Sequence, residues 1–285
     1  MGKYEFTDEI KVVNGIALHR IKAITDFWNV KAGELGGFIE KRANLSDEGN
    51  AWVYGNAEVC DNAEVYGDAR VCGDARVYGN AWVCDSAEVC GDARVCGNAW
   101  VCDSAEVCGD ARVCGDARVY DNARVCDNAE VCGDARAYGN AWVYGNAWVC
   151  DSAEVCGDAR VYGNAWVCDS AEVCGDARVC GDARVYDNAR VCDSAEVCGD
   201  ARVCGDARVC DNADYICIKG LGSEYRNTTF FNNKKGGVSV CCGCFHGTLD
   251  EFAAKVKETH ADNVYAKEYL AAVEVVKIHF GIKED

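Results

Sequence analysis

From Ala51 to Asp214 the chain repeats one six-residue phrase, Ala-x-Val-(Cys or Tyr)-(Gly or Asp)-(Asn, Asp or Ser), almost without interruption. Alanine holds every sixth position from Ala51 to Ala213, 28 of 28, and valine every sixth from Val53 to Val209, 26 of 27, with Ala137 the exception. A unit this short cannot bury an apolar face alone. Self-similarity at a fixed period therefore predicts a solenoid, in which each unit is covered by its neighbours.

Ala and Val stand two residues apart, so in an extended segment they point to one side while the residue between them points away. They form the inner face. The residue before Val (Trp, Glu or Arg) and the residue after it (Cys or Tyr) share the outer face. Gly-Asp, Gly-Asn, Asp-Asn or Asp-Ser then follows, pairs whose left-handed tolerance and self-bonding side chains suit a corner. Each hexad reads as one short strand and one bend. Stacked coils align Val on Val at a strand spacing of about 4.8 Å, and two or three hexads close a coil.

The segments Val71-Cys72-Gly73-Asp74-Ala75-Arg76 and Val77-Tyr78-Gly79-Asn80-Ala81-Trp82 resemble the bacterial transferase hexapeptide repeat, with a small residue two before an aliphatic one. That resemblance covers residues 51–214 and implies an all-β solenoid: a left-handed parallel β-helix with three hexads per coil and about nine coils. Within that superfamily the chain resembles the uncharacterised hexapeptide-repeat proteins of bacterial genomes and prophages. The flanks support the same branch, through Val30-Lys31-Ala32-Gly33-Glu34-Leu35-Gly36-Gly37-Phe38-Ile39-Glu40, Cys242-Gly243-Cys244-Phe245 and Gly247-Thr248-Leu249-Asp250-Glu251-Phe252.

Three modules follow: a β-rich N-terminal cap over 1–50, the β-helix over 51–214 and an α+β module over 215–285. In the cap, a turn at Val13-Asn14-Gly15 precedes a strand from Ile16 to Thr25 and a glycine-rich loop through Gly36-Gly37. Phe27, Trp28 and Phe38 offer an apolar lid for the first coil. In the last module, Tyr225 to Phe231 and Val238 to Phe245 form a hairpin about Asn233-Lys234-Lys235-Gly236-Gly237. Thr248 and Glu251 mark a capping box, and helical spacing of Phe252, Val256, Tyr265, Tyr269, Val273 and Val276 predicts two helices.

The chain has a net charge of −18, and −17 of it falls between Ala51 and Asp214, where 30 acids face 13 arginines. Every Gly-Asp corner is followed two residues later by Arg and every Asp-Ser corner by Glu. An acidic surface keeps stacked strands from pairing with other molecules. No long apolar run and no signal-peptide pattern is present, which predicts a cytoplasmic protein away from membranes.

Of 23 cysteines, 19 occupy the position after Val, which they share with 8 tyrosines. Two such different volumes point to an outward, permissive site, and without export free thiols are expected. Rows of thiols one coil apart also come within disulfide or soft-metal reach. A second metal candidate is Cys242, Cys244 and His246, which share a face if Cys-x-Cys-x-His lies on one strand. Neither makes the chain an evident cofactor protein, and no cofactor is expected.

Enzymatic chemistry is not expected. Acyltransferases of the resembled superfamily use a histidine between coils, and here His19, His246, His260 and His279 all lie outside the repeat. The coils contain no threonine array of the ice-binding kind, and no nucleotide, nucleophile-elbow or metalloprotease motif occurs.

Residues Asn80 to Arg136 recur at Asn146 to Arg202, with Cys96 becoming Tyr162 and Asn128 becoming Ser194. The offset of eleven hexads places the copy on a different face, which a face-specific pocket would not tolerate. The reading is therefore a rod-like scaffold that binds a protein partner, not nucleic acid, with self-association open. Its partner-binding candidates are the pairs Trp82 with Trp100 and Trp148 with Trp166, while Trp52 and Trp142 stand apart. An acidic DNA mimic that blocks a host enzyme is the alternative, and soft-metal binding by thiol rows a lesser one.

Overall fold

A computed structural model describes residues 2–282, in two compact units, Met1–Gly157 and Asp158–Asp285.

In the first unit, strands Tyr4–Val13 and Ile16–Ala23 form an antiparallel hairpin about Asn14 and Gly15, both left-handed. A third strand, Leu35–Ile39, pairs antiparallel with Ile16–Ala23 and parallel with Glu58–Val59. Solenoid pairing thus begins inside the segment expected to be only a cap. Gly36 and Gly37, expected in a loop, lie within this strand. Their role is close approach: a Cβ on Gly36 would stand 2.6 Å from Ile21 Cγ1, and one on Gly37 2.6 Å from the Ala57 carbonyl.

Eighteen two-residue strands follow, from Trp52–Val53 to Glu154–Val155. Each pairs in parallel with the strand 18 residues away, as in Val89 with Val107, Val95 with Val113 and Val101 with Val119. Three hexads therefore make one coil, and the unit holds six coils with three sheets as walls. Backbone ladders close between coils, with Arg94 N donating to Ala111 O and Cys96 N to Val113 O, both at 2.9 Å. Every Ala and Val of the phrase from Ala51 to Val155 is buried, Ala137 included, so the inner face is as the alternation predicts.

The corners explain the Gly-or-Asp choice. Gly91 takes φ +71°, and a Cβ there would stand 2.9 Å from Gly109 O. Where Asp replaces Gly, as at Asp85 and Asp121, φ stays positive, at 55° and 59°. The Asp121 carboxylate repays this strain by accepting from Gly139 N in the next coil at 3.1 Å. The second corner residue stacks into amide ladders, Asn62 to Asn80 to Asn98 to Asp116, at 3.2, 3.0 and 2.7 Å.

In the second unit, nine more two-residue strands run from Arg160–Val161 to Arg208–Val209, again paired at 18 residues. They make three coils, and with the first unit the nine that the sequence predicts. A 3-10 turn at Asn212–Asp214 ends the repeat. Four antiparallel strands follow, Tyr215–Leu221, Arg226–Asn232, Val238–Cys242 and Phe245–Thr248, then helices α1 (Leu249–His260) and α2 (Val264–His279). The expected hairpin is thus the centre of a larger sheet, because left-handed Gly243 turns the chain and splits Val238–Phe245 into two strands.

The Thr248 capping box is formed: its hydroxyl accepts from Glu251 N at 3.2 Å, and Thr248 N donates to the Glu251 carboxylate at 2.8 Å. Phe230, Val240, Phe252, Tyr269 and Val276 pack between sheet and helices. This module covers the last coils. Arg202 N donates to Thr229 Oγ1 at 3.0 Å, Tyr215 OH to Glu196 O at 2.7 Å, and Ala207 bridges to Asn233. No helix among the described residues is long and apolar enough to cross a membrane.

Candidate interaction surface

The outer faces inherit the stacking register. On one wall the residues before Val run Glu64, Trp82, Trp100, Arg118, Arg136 and Glu154, each one coil from the next. Trp82 and Trp100 stack with centroids 4.8 Å apart and planes at 14°, as the three-hexad register requires. Tyr66 meets Trp82 edge-on at 6.2 Å, and the Arg118 guanidinium sits 5.4 Å from the Trp100 ring. The result is a partly exposed aromatic column closed by a cation, suited to a planar or apolar group.

Trp142 lies on another wall, with the Arg124 guanidinium 5.2 Å from its ring. Trp148 stands on the third wall, not that of Trp82, so the copied segment has changed face as the offset of eleven hexads predicts. In the second unit Trp166 carries Arg184 at 4.9 Å. Trp148 and Trp166 are both exposed.

Trp52 contradicts the expectation of an outward ring, being fully buried. Its hexad is like the others, but the N-terminal hairpin and the segment after it lie over the first coil, setting Tyr4 and Phe27 edge-on against the indole at 6.2 and 5.3 Å. Of the expected lid residues, Phe38 is buried, Phe27 partly so, and Trp28 is exposed beneath Arg70 at 3.7 Å. Glu58 is also buried, held between Lys11 at 2.5 Å and Arg76 at 3.3 Å.

Cys242, Cys244 and His246 do not share a strand. The Gly243 turn pairs Cys242 with Phe245 and Cys241 with His246, on opposite faces of the sheet. Cys242 enters the module core beside Thr228 Oγ1 at 3.2 Å, Cys244 is exposed in the turn, and His246 stacks on Phe231 and lies against Gly205. These three positions do not converge as a ligand set.

A cluster the sequence reading missed joins module to coil: Cys241 Sγ lies 3.2 Å from Tyr186 OH, and Cys204 approaches the same sulfur. Hydrogen bonding with Cys204, aided by Tyr186, brings the Cys241 thiol down to about 7 despite its burial. Its hexad carries no signal for this: Cys204 is one of the few buried members of the outward position, yet its repeat reads like the others.

Most of the remaining outward cysteines form rows. In the second unit Cys180 with Cys198 and Cys192 with Cys210 are disulfides, so free thiols do not hold throughout. The reason is register: each pair is 18 residues apart, which sets Cα atoms 4.6 and 4.4 Å apart, within disulfide range. In the first unit Cys72, Cys90, Cys108 and Cys126 stack on one wall and keep their thiols. Burial, reinforced by neighbouring thiols and acids, pushes Cys90 and Cys108 up to about 11 and Cys126 to about 12.

Residues 69–85, 111–127, 153–169, 177–193 and 183–199 match the YdcK beta solenoid repeat family. Each match spans seventeen residues, one short of a coil. The chain is a β-solenoid repeat protein, similar in these coils to that family. No curated protein matches it.

Proposed function

We infer that this β-solenoid is a non-enzymatic scaffold that binds a protein partner, with the C-terminal module as its cap or docking unit. The observation that carries this reading is the unbroken register of the outer faces, where hexads of equal length present aligned side chains such as Trp82, Trp100 and Arg118 without an inserted loop. A flat, repetitive face recognises extended surface well and a small substrate poorly. The hexapeptide-repeat resemblance, with the prophage branch it implies, fits the same role, since the coils lack the histidine that acyl transfer uses. We place the scaffold in the cytoplasm, where a cysteine-rich repeat stays largely reduced.

A second reading, an acidic mimic of DNA, rests on the net charge of −18. Pairing of Arg70 with Glu88 and of Arg124 with Glu106 leaves much of the field to the corner aspartates. Affinity capture with the full chain and with a chain lacking residues 215–285, at low and high salt, separates the readings. A salt-resistant partner lost with the module supports the scaffold. A nucleic-acid enzyme held by both chains and released by salt supports mimicry. Turnover of an acyl thioester by the full chain would refute the non-enzymatic reading.

A further inference from the structure

We propose that the row Cys72, Cys90, Cys108 and Cys126 binds a thiophilic univalent d10 cation, Cu(I), as linear bis-thiolate sites between successive coils. The four cysteines follow the valines of four consecutive coils on one wall, with Tyr54 and Tyr144 ending the row on either side. Cys72, Glu88 and Cys90 bring two sulfurs and a carboxylate oxygen within 4.8 Å of one another, and Cys90, Glu106 and Cys108 do the same. That same-register sulfurs reach each other is independently visible in the second unit, where Cys180–Cys198 and Cys192–Cys210 are joined.

Ligand number selects the ion. A metal–thiolate bond is about 2.3 Å, so a linear ion spans sulfurs about 4.6 Å apart, inside the 4.8 Å within which the Cys72 and Cys90 sulfurs stand. A tetrahedral ion with the same bonds draws its sulfurs to roughly 3.8 Å and needs further ligands, which a flat wall does not supply from the row alone. Soft thiolates favour Cu(I) among available metals. Without shared sulfurs, four thiols hold two ions, one between Cys72 and Cys90 and one between Cys108 and Cys126. Each binding event breaks two S–H bonds, forms two Cu–S bonds and releases two protons, with no change of oxidation state. Arg70 and Arg124, already at Glu88 and Glu106, balance the negative charge of the bis-thiolate.

The test loads reduced full-length protein anaerobically with Cu(I) against a chromophoric Cu(I) chelator, and counts retained ions by native mass spectrometry. Cys90→Tyr with Cys126→Tyr removes every adjacent pair of the row, using the residue that Tyr54 and Tyr144 already place there. Cys60→Ser with Cys244→Ser removes two cysteines outside such pairs, since Cys60 stacks on Tyr78 and Cys244 lies in the turn. The expected result is two fewer retained ions in the row variant and none fewer in the control. Equal loss in both, or no loss in the row variant, overturns the proposal. X-ray absorption of the loaded wild type needs no variant to fold: two sulfurs per copper are expected, and an oxygen or nitrogen shell, or four sulfurs, contradicts the linear site.

Discussion

Val107 offers the sharpest energetic test of the repeat. It is fully buried and lies in register between Val89 and Val125. Val107→Ala removes two methyl carbons, at about 0.8 kcal/mol each by transfer. The coils above and below are tied by backbone ladders such as Cys108 N to Val125 O at 2.9 Å, so the wall cannot collapse freely and a cavity cost adds. Scaling from the loss of a single buried methylene, the total is about 1.5–3 kcal/mol. Solenoids lose cooperativity over long arrays, so the loss is read locally, by hydrogen exchange at the amides of the flanking coils alongside urea unfolding. Arg112→Ala, at an exposed position of a neighbouring wall, is the control and should change stability by less than about 0.5 kcal/mol. If Val107→Ala costs no more than this control, the inner face has been misassigned.

Three further outcomes follow from the same geometry. Trp100→Ala should weaken the tryptophan exciton signal in the far-ultraviolet circular dichroism, because Trp82 and Trp100 stack at 4.8 Å, whereas Trp142→Ala should leave that contribution intact. Gly36→Ala should destabilise the first unit by about 1–3 kcal/mol in urea unfolding, since its Cβ would meet Ile21, Trp52 and the Val53 carbonyl within 2.7 Å. Stability should fall as pH rises from about 9 to 11: Cys60, Cys90, Cys108 and Cys174 hold their protons up to about 11 when folded, chiefly through burial, and release them earlier when unfolded. Replacing Cys60, Cys90 and Cys108 together by Ser should flatten that decline in urea midpoints, and an unchanged slope would refute this assignment of its cause.

What could be read in the hexad was read because its period leaves the chain few choices. Ala and Val two apart fix the inner face, and the Trp82–Trp100 stack follows from three hexads per coil. Misreadings fall where a residue's surroundings come from outside its own hexad. Trp52 and Glu58 look like their repeats yet are covered by the N-terminal hairpin, which local alternation cannot reveal. Gly36 and Gly37 have the composition of a loop, but they serve close packing within a strand. In the last module a single left-handed glycine, Gly243, reverses the chain and separates Cys242 from His246. The Cys241–Tyr186–Cys204 cluster depends on how that module seats on the coils of its own unit, a long-range fact with no periodic signature.

The three-sided coil is tested most directly by mild oxidation of reduced protein followed by mass-spectrometric mapping of every disulfide. The account predicts bridges between cysteines 18 residues apart, such as Cys72 with Cys90 or Cys108 with Cys126, matching Cys180–Cys198 and Cys192–Cys210. Bridges predominantly 12 residues apart, such as Cys90 with Cys102 or Cys96 with Cys108, would mean two hexads per coil and contradict it.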